Sequence, residues 1–218
     1  MTQGFTSEKS KVASFDVDAQ NTFTPACPDE LPVPDGLAIV DELNAQAKLA
    51  AVRVGSKDAH SPKAVWVATP SEPQFSPVAG ENVDIRWRRH AEPGTLGFEL
   101  IEGLPAPADY DFFVWKGVEL DMHPYGACYH DLRNRLSTGV IEFLKVRGIE
   151  SVIVGGLATD YCVKTTAAGV ESGSLVLHPQ GLTPKTIPCE VAVRLTVAKP
   201  LEIGEGSHSV EDVEYSRS

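Results

Sequence analysis

The chain's 218 residues are 42% hydrophobic, 22% charged and 7% aromatic, a balance that excludes a collagen, a coiled coil or a disordered chain and suits a single domain over residues 1–218. Its formal charge is −11, and five carboxylates (Glu202, Glu205, Glu211, Asp212 and Glu214) crowd its end, where residues 204–218 read as an acidic tail. Such a surface repels phosphate backbones and anionic lipid, which argues against nucleic acid and membrane as partners and leaves small, weakly charged molecules.

Short runs rich in Val, Ile and Phe alternate with segments of helical period, the signature of βαβ units and a parallel sheet. Val12 to Asp18 reads as the first strand. Leu37, Ile39, Val40, Leu43, Ala47 and Ala50 recur every three or four residues and give a helix with one buried face. Ala51 to Asp58 is the second strand and Tyr110 to Lys116 the third. Leu136 to Val146 is an amphipathic helix ended at Gly148, as helix C-termini commonly are. Ser151 to Leu157 is the fourth strand, a helix follows from about Asp160 to Gly173, and Leu175 to His178 is the fifth. A further helix carrying Val191 and Leu195 leads to a sixth strand at Leu201 to Ile203. Between Ser61 and Pro107 a proline-rich stretch is unfit for a regular helix or central strand, and a loop of that length is expected to wrap a site. The expected architecture is a three-layer α/β/α fold on a six-stranded, mainly parallel sheet.

Cys27, Cys128, Cys162 and Cys189 are widely spaced and lack the density of a disulfide scaffold. The N-terminus is polar rather than a signal peptide, and no apolar run is long enough to span a bilayer, so the reading places the protein in the cytoplasm with reduced thiols.

Ligands of an open parallel sheet bind at the carboxyl ends of its strands. Asp18, Asp58 and Lys116 occupy three such ends, and the fourth strand runs through Gly155 and Gly156 toward Cys162. Taken singly, an aspartate there caps a turn, a lysine is solvated and a cysteine is packing; together they describe a site. Cys162 falls in the first turn of the expected helix, where unpaired N–H groups and the nearby Lys116 ammonium would favour thiolate. Asp18 is the candidate proton shuttle, with His178 as the other choice. Asp58 and His60, two apart on an extended segment, project to the same side; His90 is the third candidate ligand for an ion, and an ordinary loop histidine is the other reading.

These segments resemble the isochorismatase-like cysteine hydrolases, and within them the nicotinamidases. The resemblance is carried by Asp18-Ala19-Gln20-Asn21-Thr22-Phe23, by Lys116-Gly117, by Gly156-Leu157-Ala158-Thr159-Asp160-Tyr161-Cys162-Val163, and by the Asp58-Ala59-His60 and Trp87-Arg88-Arg89-His90 segments. It implies a catalytic triad of Asp18, Lys116 and Cys162, and a cis peptide between Leu157 and Ala158 that turns the Ala158 and Cys162 N–H groups toward one oxyanion. It also implies a divalent ion on Asp58, His60 and His90, with Zn2+ the first choice and Fe2+ or Mn2+ the others. Phe23, Trp87, Tyr125 and Tyr161 would bind an aromatic substrate. Thr22, Ala59, Ala91 and the His178-Pro179-Gln180 segment depart from the family pattern. The reaction implied is hydrolysis of nicotinamide to nicotinate and ammonia through a cysteine thioester, in an enzyme for which a homo-oligomer is compatible. The rivals are an amidase of the same superfamily acting on a carbamoyl, ureido or bulkier aromatic amide, and a non-catalytic small-molecule binder.

Overall fold

In the computed structural model, which describes residues 8–172 and 190–191, Val12–Val17 forms strand β1 and is buried at every position. Burial on both faces marks a central strand of a parallel sheet. Phe15 and Val17 enter the main core, whereas Asp16 on the other face is tolerated because it is paired. Arg53 Nε donates to it at 2.8 Å and the Tyr110 hydroxyl at 2.9 Å.

The flanking strands are β2 (Val52–Asp58) and β4 (Ser151–Gly156), with β3 (Phe112–Lys116) outside β2 and β5 (Glu190–Val191) outside β4. The order is β3-β2-β1-β4-β5, every pair parallel. The strand expected at Leu175 to His178, the one at Leu201 to Ile203 and the acidic tail lie outside the described residues. The helix expected through Val191 and Leu195 is corrected at its start, since Glu190–Val191 is strand matched to Ser151 and Val152. The unpaired backbone groups along the edge of β4 are a strong reason for a neighbouring segment to extend there.

Helix α1 (Ile39–Ala47) follows a 3-10 turn at Gly36–Ala38 and covers one face of the sheet. Helices α2 (Val140–Val146) and α3 (Lys164–Ser172) cover the other, where Val140, Leu144, Val163, Ala167 and Val170 meet Phe15, Val152 and Val154. α2 starts later than the expected Leu136 because the preceding residues bond elsewhere. Thr138 Oγ1 donates to the Ala127 carbonyl at 2.7 Å, and Ser137 bridges to Tyr129, the kind of local competition that keeps Ser and Thr out of helices.

The segment from Ser61 to Pro107 runs in turns and isolated bridges, among them Val67 with Trp87 and Pro77 with Ile85. Its Trp66, Val83, Trp87 and Ile101 bury against Phe23, Leu31 and Leu43, so the loop folds over one end of the sheet as a second core. Among the described residues no helix is long and apolar enough to cross a membrane.

Removing one partner of a buried pair strands the other in a medium that penalises charge. Arg53→Met is therefore expected to lower stability by about 3 kcal/mol, because Asp16 is 2% exposed and held mainly by that guanidinium. Urea unfolding measures it, and a loss below about 1 kcal/mol would show the pair to be dispensable.

Candidate active site

The register brings the strand ends level, with Val17 opposite Gly156 and Asp58 opposite Lys116. Lys116 Nζ stands at the centre. It bonds Asp58 Oδ1 closely, lies 3.1 Å from Asp18 Oδ2 and 3.8 Å from Cys162 Sγ, and donates to the Pro124 carbonyl at 3.2 Å. Ser56 Oγ donates to the other Asp18 oxygen at 2.7 Å. Asp18, Asp58 and Cys162 offer atoms that all lie within 4.8 Å of one another. The three expected triad members are thus in one buried cluster.

Cys162 reaches that cluster through an abrupt exit from β4. Gly156 has φ 142°, and a Cβ there would fall on the backbone of Val17, 2.7 Å from its carbonyl carbon. Only glycine fits. The Leu157–Ala158 peptide is cis, as the resemblance implied. Cys162 itself lies not in an α-helical first turn but in a π-helical turn, Thr159–Val163, that precedes α3.

The surroundings of Cys162 work against the expected resting thiolate. Burial pushes the Cys162 thiol well up, the Lys116 ammonium opposes that, and the Asp18 and Asp58 carboxylates add to the rise. Lys116 is itself held well above its ordinary value: burial alone would lower it, but Asp18 and Asp58 outweigh burial. Asp18 is raised chiefly by burial, against the pull of Lys116 and with the push of Asp58. Asp58 goes the other way: burial would raise it, but the Lys116 ammonium bonded to it outweighs burial. Burial thus favours a thiol facing a raised carboxylate over a preformed thiolate–ammonium pair.

A base must be unprotonated to act, so activity should be present above the folded-state pKa of Asp18 and lost as pH falls through it. The acid limb of kcat/KM is expected above the 3.8 of an unperturbed aspartate, with the apparent value belonging to the coupled cluster. Rate profiles taken with metal content monitored at each pH check this; a limb at or below that value would remove Asp18 as the base.

A second group of donors adjoins the first. His60 Nδ1 donates to the Gly117 carbonyl at 2.9 Å and His90 Nδ1 to the Arg88 carbonyl at 2.7 Å. Each bond fixes the tautomer and leaves Nε2 as a lone-pair donor, the usual support of a metal-binding histidine. His60 Nε2 is buried, without a hydrogen-bond partner, and 3.3 Å from Asp58 Oδ1. His90 Nε2 is 4.0 Å from Asp58 Oδ2, and its pKa is lowered to about 3 by burial and by His60, so the ring is neutral. These residues fit a divalent ion of the zinc class. Gly117 has φ 69° and a Cβ on it would strike the His60 ring, so the residue after Lys116 is part of that support.

Sequence reasoning missed four contributors. Gln20 donates to the Asp58 carbonyl at 2.9 Å and accepts from the Asp58 N–H at 2.7 Å, clamping that strand end. Ser56 orients Asp18. Glu30 hydrogen-bonds Thr22 and accepts from the Ala91 N–H at 3.0 Å, so a carboxylate from elsewhere offsets the departure at Thr22 and steadies the residue after His90. The fourth is His123, whose nitrogen lies within 4.8 Å of those of His60 and His90. Its position past the end of β3 was the available signal, by the same strand-end rule that found Lys116.

A cavity at this edge is lined by Phe23, Trp87, Tyr125 and Tyr161 together with Ala158 and Cys162, with Asp58, His90, Lys116 and His123 also in its wall. The Trp87 ring meets Tyr161 edge-on at 5.0 Å, and Trp87 Nε1 donates to the Tyr125 hydroxyl at 3.3 Å. Every expected substrate-binding residue thus faces the same space as the sulfur. Cys27 and Cys128 are free and buried but do not line it; burial pushes Cys128 up to about 12. Cys189 and His178 lie outside the described residues.

The isochorismatase domain matches residues 13–171 of the chain. The nicotinamidase of Acinetobacter baylyi is 33% identical over 91 residues, which make up 42% of this chain and 42% of that protein. The chain thus aligns with under half the length of that curated relative. The solved nicotinamidase and pyrazinamidase of Acinetobacter baumanii superposes with a TM-score of 0.67 at 28% identity, covering 75% of this chain and 79% of that one. The pyrazinamidase of Pyrococcus horikoshii in complex with zinc shares the fold, with a TM-score of 0.55 at 24% identity over 72% of this chain and 76% of that one.

Proposed function

The chain belongs to the isochorismatase family, and from that premise we propose that it hydrolyses an aromatic carboxamide, with nicotinamide as the substrate and nicotinate and ammonia as the products. The observation that carries the reading is that the Cys162 thiol and the Lys116 ammonium line one cavity with four aromatic rings, while the raised Asp18 carboxylate lies 3.1 Å from that ammonium. Flat rings suit a flat heteroaromatic substrate, which they can stack against, whereas a ureido group brings no ring to stack.

Asp18 accepts the Cys162 proton as the sulfur attacks the carboxamide carbon, and Lys116 keeps both developing charges compensated. The Ala158 and Cys162 N–H groups receive the oxyanion; losing one such donor typically costs on the order of 100-fold or more in rate. The C–N bond breaks as Asp18 returns its proton to nitrogen, releasing ammonia and leaving a thioester. Water then attacks the thioester carbon, Asp18 takes the water's proton, and the sulfur leaves and is reprotonated. Asp58, His60 and His90 would hold a divalent ion, Zn2+ before Fe2+ or Mn2+, which when bound supplies orientation and polarisation of the ring. Catalysis by a free thiol fits a cytoplasmic setting.

Ammonia release across nicotinamide, pyrazinamide and ureido compounds, with and without a chelator, tests the proposal. Release from the two heteroaromatic amides alone is expected, and it should fall when the ion is stripped. Release from ureido compounds alone would overturn it in favour of the carbamoyl amidase.

A further inference from the structure

His123 has no role in the reaction as written. It is 4% exposed, and both its ring nitrogens are buried without a hydrogen-bond partner. A buried imidazole in that condition is costly unless something else satisfies it. Its placement is nonetheless fixed by the backbone: the His123 N–H donates to the Asn82 carbonyl at 2.8 Å, and Trp66 Nε1 donates to the carbonyl of Met122 at 3.0 Å. The chain is pinned on both sides, and the ring is left free to bind.

We propose that His123 is a fourth protein ligand, completing with Asp58, His60 and His90 a metal site of three histidines and one carboxylate. The inference rests on the reading that this chain holds a divalent ion and is independent of which amide it cleaves. Imidazoles bound to one ion through nitrogen at about 2.1 Å place their ring centroids about 3.2 Å from it, so rings subtending 90° to 109° lie about 4.5 to 5.2 Å apart. The observed centroid separations are 4.6 Å for His60 and His90 and 5.1 Å for His60 and His123. His90 and His123, at 5.9 Å, subtend a wider angle, about 135° on the same arithmetic. Two of the three spacings fit one shared centre at regular angles, the third opens it, and two of the rings are already locked in the ligating tautomer. Trp66 closes one side, its ring 4.4 Å from that of His123 and 4.7 Å from that of His60.

The fourth ligand changes what the ion offers. With four protein donors, Zn2+ would have to expand to five-coordinate to meet the substrate ring, whereas six-coordinate Fe2+ or Mn2+ keeps two positions for water or substrate. The identity of the ion then decides how readily a ring nitrogen of the substrate can reach it.

X-ray absorption of the wild-type protein loaded with Zn2+ counts the imidazoles directly, and three are expected. In parallel, Zn2+ and Co2+ affinities of wild type and His123→Ala are read by competition with a chelator, and the Co2+ absorption spectrum reports the ligand field. The variant should bind both ions more weakly by more than the roughly 10- to 100-fold that loss of a supporting partner costs, with a changed Co2+ spectrum. Two imidazoles in the wild type, or an unchanged spectrum and affinity in a variant that still folds, would overturn the assignment. If the variant does not fold, the wild-type count decides alone. Three imidazoles in a protein that releases no ammonia from any amide would support this site and end the proposed reaction.

Discussion

Replacing Cys162 with alanine is expected to lower ammonia release from nicotinamide by about 10⁴-fold or more, leaving only what binding and the oxyanion donors supply. The change removes the sulfur and little else: Cys162 sits inside the Thr159–Val163 turn, and alanine accepts that backbone. Substrate binding by calorimetry should therefore persist. The ion pairs of the cluster remain, because Lys116 still faces Asp18 and Asp58. Neither Cys27 nor Cys128 lines the cavity, so neither can stand in. Mass spectrometry of quenched wild type should find an acyl group on the peptide containing Cys162 and none on the variant. Turnover within tenfold of wild type would show that some other group attacks the amide.

The second large effect is on Lys116, where catalysis and folding meet. Lys116→Met keeps the length of the side chain and deletes the one cation between two buried carboxylates. Breaking such a cluster leaves uncompensated charge in the interior, at a cost of about 3 to 5 kcal/mol. Activity should disappear together with that stability, because neither the thiolate nor the carboxylates are then balanced. The penalty should shrink on acidification. In wild type Asp58 is held well below its ordinary value, so its pairing stabilises the fold above the unfolded pKa and that contribution fades as pH falls through the folded one. In the variant the carboxylates protonate more readily, and each proton removes an unpaired charge. Urea midpoints at several pH values measure both curves, and a gap that widened toward acid would contradict this view of the cluster.

Much of this was legible in the sequence, for reasons that are local. Strand ends are marked by where apolar runs stop, so Asp18, Asp58 and Lys116 could be placed at one edge without any coordinates. The nucleophile segment declared itself through its two glycines and its place after β4. What was not legible depends on distance and dielectric. The thiol was expected to ionise because a helix start and a lysine favour charge; its burial among two carboxylates works against that, and no sequence spacing reports burial. His123 went unremarked because His60, His90 and His123 come from three segments whose convergence is decided by how the loop after β2 packs over Trp66. The late start of α2 and the extension of Glu190–Val191 are likewise tertiary outcomes, set by partners along β4 and around Ala127 rather than by periodicity.

Asp18 and Cys162 come from opposite ends of the described chain and meet only because β1 lies beside β4. The polypeptide between them includes both β2 and β3, so closing that loop surrenders entropy before any native contact across it repays the loss. A ribosome must deliver almost the whole domain before the base can find its nucleophile. A nascent or half-refolded molecule consequently has no fraction of the activity to show; hydrolysis begins only when the middle of the sheet has closed.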